Sequence, residues 1–341
     1  MEENYTDFLE SAENVVESVY ARHLLEYIRS QNPSPYDLLS YVGNLVRTFF
    51  QTEWIKTAAA FIGLFLILGI LETIFQKKEI SSAVRYILTV TFSILLAGST
   101  NEILAAMQVY MRDFSTFFGT IIPTLGVLAA SGGNVTSATA NSISLSVFLT
   151  ATQFLLHTAL PYINSLFCGL AVFDAVYGGG KISSLSATVK NFLFGTLGFS
   201  TALFGIVISF QNLTAVNTDS ISGKTLRLMI AKAIPVVGTT IGETIRIVGG
   251  SLYSIKNAVG ITAIVFLFGI YLPILIALLG NGFLMNIFVF LCDFFSIPEI
   301  KWIFFHLKHT FDFALAAFTC VFMIAILNLG IFMKTMPAML E

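Results

Sequence analysis

The chain has 341 residues, of which 56% are hydrophobic and 11% charged, about half of the ~25% charge of an ordinary soluble domain. Its mean hydropathy is +0.83, and so few charged side chains cannot cover a soluble particle with this much apolar surface. The net charge of −2 excludes the basic footprint that nucleic-acid binding needs, so the expected architecture is all-α and polytopic, with a lipid bilayer as its first partner.

Residues 1–56 stand apart as an extracytoplasmic acidic segment, with nine acids against four Lys/Arg. Phe8, Val15, Val16, Val19, Leu24, Leu25 and Ile28 fall at helical intervals, which predicts a short amphipathic helix. Asn32-Pro33-Ser34-Pro35 breaks it, because proline lacks an amide hydrogen and restricts the residue before it. No basic region followed by an apolar core precedes Trp54, so no signal peptide is read.

The transmembrane domain is expected over 57–341, its first span at 57–75, long enough to cross at roughly 1.5 Å per residue. Lys77, Lys78 and Arg85 follow it, which places them in the cytoplasm and the N-terminus outside. Further spans are expected at 86–107, 114–130, 192–210, 259–279, 282–297 and 310–333. Residues 143–177, with Pro161 near the middle, read as one kinked helix or two short crossings. A single crossing puts ten of the later Lys/Arg inside and four (Arg112, Lys181, Lys190, Lys334) outside, which favours about eight spans with both ends outside.

Catalytic and ligand motifs fail on inspection. Ser222-Gly223-Lys224-Thr225 lacks the earlier glycine of a phosphate-binding loop, where Thr218 stands. His306 and His309 lie three apart beside Lys308 and Trp302, and read as an interfacial turn rather than a metal site. The three cysteines, Cys168, Cys292 and Cys320, have no C-x-x-C spacing and read as core residues. No enzyme, metal or cofactor is expected.

Charge inside an apolar segment is costly and needs a partner or water. Glu102 (beside Asn101), Asp174 and Asp293 are the intramembrane acids to examine; Glu72 and Asp312 are nearer span ends. Glu102 and Asp293 are the better candidates for an aqueous path. A second signal is Ile122-Pro123-x-x-Gly126, echoed 112 residues later by Ile234-Pro235-x-x-Gly238. Each precedes a glycine pair, Gly132-Gly133 and Gly249-Gly250, and the first pair sits in the uncharged polar stretch from Ser131 and Asn134 to Ser142. Paired interruptions of this kind mark pore or hinge positions in repeat-built transporters; chance in a glycine-rich chain is the competing reading. In 192–210, Gly195, Gly198, Ala202, Gly205 and Ser209 recur with spacing 3-4-3-4, which makes one small-residue seam for helix packing or subunit assembly.

Several stretches, taken in order, carry a family resemblance. They are the approach Asn32-Pro33-Ser34-Pro35; Ile122-Pro123-Thr124-Leu125 leading to Leu128-Ala129-Ala130-Ser131-Gly132-Gly133; Thr218-Asp219 with Lys224-Thr225-Leu226-Arg227; Ile234-Pro235-Val236-Val237-Gly238; and Ile255-Lys256-Asn257-Ala258-Val259-Gly260. The chain resembles the stage III sporulation protein AE family of endospore-forming bacteria over roughly residues 25–335. The resemblance implies a multi-pass subunit of a transport or channel complex in the mother-cell membrane around the forespore. The expected partners are the other subunits of that complex, a separate ATPase among them, and further copies of the chain itself. The alternative expectation is an autonomous secondary transporter.

Overall fold

A computed structural model describes residues 78–131, 135–178, 180–233, 238–294 and 297–335, with a few isolated positions between 43 and 67. Most of the expected first span and nearly all of the acidic N-terminal segment lie outside the described residues. Helix α1 is Lys78–Ser131. Helix α2 (Val135–Gln153) continues through a π-helical turn, Phe154–Ala159, into α3 (Leu160–Phe173) and a second π-helical turn, Asp174–Gly178. Then follow α4 (Ser183–Ala233), α5 (Gly238–Phe294) and α6 (Pro298–Thr335).

Five stretches among the described residues are long and apolar enough to cross a membrane: Thr89–Gly119, Val135–Tyr177, Ser183–Gln211, Leu267–Phe294 and Glu299–Ile331. Two expected span boundaries fall inside continuous helices instead. Residues 86–107 and 114–130 both belong to α1, and 259–279 runs into 282–294 within α5. The separators proved weak for a physical reason. Gln108, Arg112 and Asp113 are polar or charged, but residues 108–113 contain no Gly or Pro, and a few polar residues do not end a helix. In α5, Asn281 sits between two glycines, yet its side-chain amide donates to the Ala277 carbonyl at 2.8 Å and stays within the helix.

Residues 143–177 form one helical passage, and Pro161 explains its irregularity. Proline removes the hydrogen bond to the carbonyl four residues earlier, and the first π-helical turn lies directly before it. A widened turn absorbs that missing bond without breaking the helix.

Helix α6 is the centre of the bundle: half of its apolar window is buried, against 11% for that of α4. Tyr271 of α5 stacks on Phe322 and Phe318 of α6 at centroid separations of 3.8 and 5.3 Å. Phe304 takes Phe288 of α5 on its face and Phe92 of α1 on its edge. Lipid is as apolar as these rings, so close packing rather than escape from water favours the contacts. The outward faces carry Ile94, Phe154, Tyr162, Phe199 and Phe290, all exposed, as a lipid-solvated surface requires.

One relationship corrects the expected sidedness. The charge count put Lys181 and Lys190 on the opposite side from Lys301 and Lys308, but the α3–α4 link and the start of α6 meet. Gly180 lies against Trp302, and Lys190 pairs with Asp312 at 2.7 Å. The two links therefore share one end of the bundle.

Candidate functional site

Where those links meet, three elements converge on a buried polar cluster. Asp174 begins the second π-helical turn and is fully buried, as is His306 on α6. His306 Nε2 lies 2.9 Å from Asp174 Oδ2. The other carboxylate oxygen, Oδ1, accepts the backbone amides of Gly180 at 3.1 Å and Ile182 at 3.4 Å. One side chain thus closes the link and orients the imidazole, because a carboxylate accepts at both oxygens. Gly180 has φ +95°, and a Cβ there would overlap the indole of Trp302. Only glycine suits both the left-handed backbone and the close approach.

One turn further along α6, His309 is buried between the edges of Phe167 and Phe305, at centroid separations of 5.6 and 4.9 Å. Ser186 of α4 and Thr310 of α6 are also fully buried. Ser186 Oγ, His306 Nδ1, both ring nitrogens of His309 and Thr310 Oγ1 have no hydrogen-bond partner among the described residues. The Lys190–Asp312 ion pair, about a quarter exposed on each side, marks the cluster's outer edge. Among the described residues no group of three or more His, Cys, Asp or Glu is arranged to hold a metal.

The positions singled out in the sequence have different fates. Glu102 faces outward, and its neighbour Asn101 accepts a hydrogen bond from Asn164 of α3 at 2.9 Å. Asp293 is exposed and paired with Lys301 at 2.6 Å. Of the three acids, only Asp174 is buried among polar partners. Pro123 is an exposed position within α1, and Ser131 ends that helix. At Gly126 a Cβ would lie 3.5 Å from Ser142 Oγ of α2. Gly132, Gly133, Asn134 and Pro235 lie outside the described residues. Gly238 starts α5, and Gly249 and Gly250 are helical within it.

The uncharged stretch after Asn134 forms the first turns of α2, with Ser137, Asn141 and Ser144 all buried. Ser144 donates to Gln211 of α4. Gly195, Gly198, Ala202 and Ser209 are exposed along α4, and added Cβ atoms at Gly195, Gly198 and Gly205 would meet nothing within 4 Å. Among the described residues nothing packs on these three glycine positions of the seam.

His306 and His309 are the residues the sequence reading misplaced. Lys301 and Lys308 interrupt the apolar run and suggest a short surface link, whereas the helix begins at Pro298 and carries both imidazoles inward. The available signal was phase: Ile303, His306, Thr310 and Ala314 share one helical face, and all four are buried.

An all-helical arrangement over the described residues, with five stretches able to cross a bilayer and a buried carboxylate hydrogen-bonded within a polar cluster, fits the class of integral membrane proteins. The chain belongs to the stage III sporulation protein AE family: residues 23–335 match the family described as "Stage III sporulation protein AE". It is similar to "Stage III sporulation protein AE" of Bacillus subtilis (strain 168), with 26% identity over 203 residues, 59% of this chain and 51% of that relative. The match thus spans about half the relative's length. No solved structure matches.

Proposed function

We propose that this chain is a multi-pass subunit of a transport or channel complex between mother cell and forespore, needed for late forespore development. The observation that carries the reading is family membership over residues 23–335, joined to a helical bundle that leaves a small-residue seam open for another helix. In this reading it resides in the mother-cell membrane around the forespore with its N-terminus extracytoplasmic, and works beside other subunits, including a separate ATPase. Pro123, Gly126, Ser131–Asn134, Pro235, Gly238, Gly249 and Gly250 are the proposed pore or hinge positions. Gly195 to Ser209 is the proposed assembly face.

The second reading, an autonomous secondary transporter, draws on the buried Asp174–His306 pair, since ionisable groups at membrane depth serve ion pathways. Deleting the gene in the native spore former tests the first reading: development should stop after the forespore is enclosed, and normal spores would overturn it. Reconstitution of the purified chain alone separates the two. A subunit shows no solute flux without partners, whereas a transporter does.

A further inference from the structure

We propose that Asp174 and His306 form a hydrated proton-binding site, with the proton taken up on His306 Nδ1. The argument begins with charge. With Nε2–H donating to an ionised Asp174 at Oδ2, His306 is neutral and the pair carries one buried negative charge, Asp174 lying near the end of the stretch Val135–Tyr177 and His306 within Glu299–Ile331. Adding a proton at Nδ1 makes an imidazolium beside a carboxylate, and the pair becomes neutral overall. Water supplies the proton and keeps the hydroxide, and no bond between heavy atoms changes. Ion pairs at membrane depth are tolerated where a lone charge is not.

The surroundings supply the second, independent observation. Five buried polar atoms (Ser186 Oγ, His306 Nδ1, His309 Nδ1 and Nε2, Thr310 Oγ1) have no partner among the described residues. Left dry, each would forfeit its hydrogen bonds to water, so a concentration of them on two adjoining helices calls for internal water. That water would give Nδ1 its route to the proton. A π-helical turn begins at Asp174 itself, and such turns concentrate at functional sites.

The charged and titratable groups around the pair lie on every side. His309, Lys308 and Asp312 share α6, and His309 feels Lys308, Asp312 and Lys190 of α4 electrostatically. Asp293 of α5 pairs with Lys301 near the start of α6, and Lys181 is exposed in the link from α3. From α1 the neighbour is Phe92, against Phe304. His306 differs from all of these in touching the buried carboxylate directly. The site stands whether or not the sporulation-complex reading does.

The test uses the full chain in lipid vesicles. The chain has two tryptophans, Trp54 and Trp302, so Trp54→Phe leaves a single reporter whose ring centroid lies 6.3 Å from that of His306. An imidazolium quenches indole emission, so Trp302 should show a one-proton step with pH, lost in His306→Gln and retained in His309→Gln. A flat profile, or a step that survives His306→Gln, overturns the proposal. Should His306→Gln fail to fold, hydrogen exchange at the imidazole C2 carbon of the unsubstituted chain decides the matter. Exchange at His306 with a sigmoidal pH profile supports a hydrated, titrating site, and no exchange at any pH overturns it.

Discussion

His306 Nε2 and Asp174 Oδ2 meet at 2.9 Å across 132 positions of sequence, with both side chains fully buried. The contact ties the end of α3 to α6, and through Oδ1 it also holds the link to α4. Replacing Asp174 with alanine strands an imidazole and two backbone amides together, a loss of about 3–5 kcal/mol by analogy with other broken buried pairs. Asp174→Asn keeps an acceptor for the amides and should cost clearly less. Unfolding of the two variants in mixed micelles checks the order, and equal losses would mean that the carboxylate does not organise the link.

Gly180 makes the neighbouring prediction. Its φ of +95° and the indole of Trp302 both exclude a side chain. Gly180→Ala should destabilise the chain by at least about 2 kcal/mol, from backbone strain and overlap together. In a Trp302→Ala background, which carries its own packing loss, Gly180→Ala should cost only the backbone share, so its drop in melting temperature is smaller there than in the parent chain. A single variant as stable as the parent would show that the link rearranges freely.

These contacts explain which parts of the fold were legible in the sequence. The apolar runs announced the helices, and the unbroken helical run over 143–177 agrees with the single kinked helix that was one of its two readings. What composition could not show was where one helix ended and the next began. Gln108, Arg112 and Asp113 interrupt the apolar run as a loop would, while residues 108–113 hold only residue types that helices accept. Nor could it reveal partners: Asp174 and His306 gain meaning only when α3 and α6 are laid side by side. Glu102 looked the more promising acid, yet helical phase turns it outward and directs Asn101 to Asn164.

The shared end of the two links gives a topological prediction. Lys181 and Glu299 flank the Gly180–Trp302 contact in sequence. In a background with Cys168, Cys292 and Cys320 replaced, Lys181→Cys and Glu299→Cys should react with an impermeant thiol reagent from the same side of sealed vesicles. Labelling from opposite sides would restore the layout that charge counting favours and reject the close approach of the links.

Tyr271 separates a hydrogen bond from ring packing. Its hydroxyl lies 3.1 Å from Thr319 Oγ1, which itself donates to the Leu315 carbonyl, so Tyr271 is the donor. Tyr271→Phe keeps both stacked partners and should cost only about 0.6–1 kcal/mol, the usual size of a hydrogen bond between membrane helices. Tyr271→Ala removes the stack on Phe318 and Phe322, and the cavity should raise the loss to about 3–5 kcal/mol. Unfolding of both variants measures the ratio, and similar losses would mean that the hydroxyl rather than the ring holds α5 to α6.

The open seam on α4 distinguishes assembly from folding. An added Cβ at Gly198 meets nothing within 4 Å, and the exposed residue faces away from the chain's own core. Gly198→Leu should therefore leave the stability of the isolated chain within about 0.5 kcal/mol of the parent, as for surface positions generally. Small residues at 3-4 spacing serve close helix approach, and leucine would hold a neighbouring helix away. The same substitution should then weaken association with partner subunits or with further copies, read by crosslinking in native membranes and by loss of rescue in a deletion strain. Ala202→Leu, one turn along the same face, should act in the same direction. Unaltered crosslinking and full rescue by both variants would remove the seam from the assembly surface.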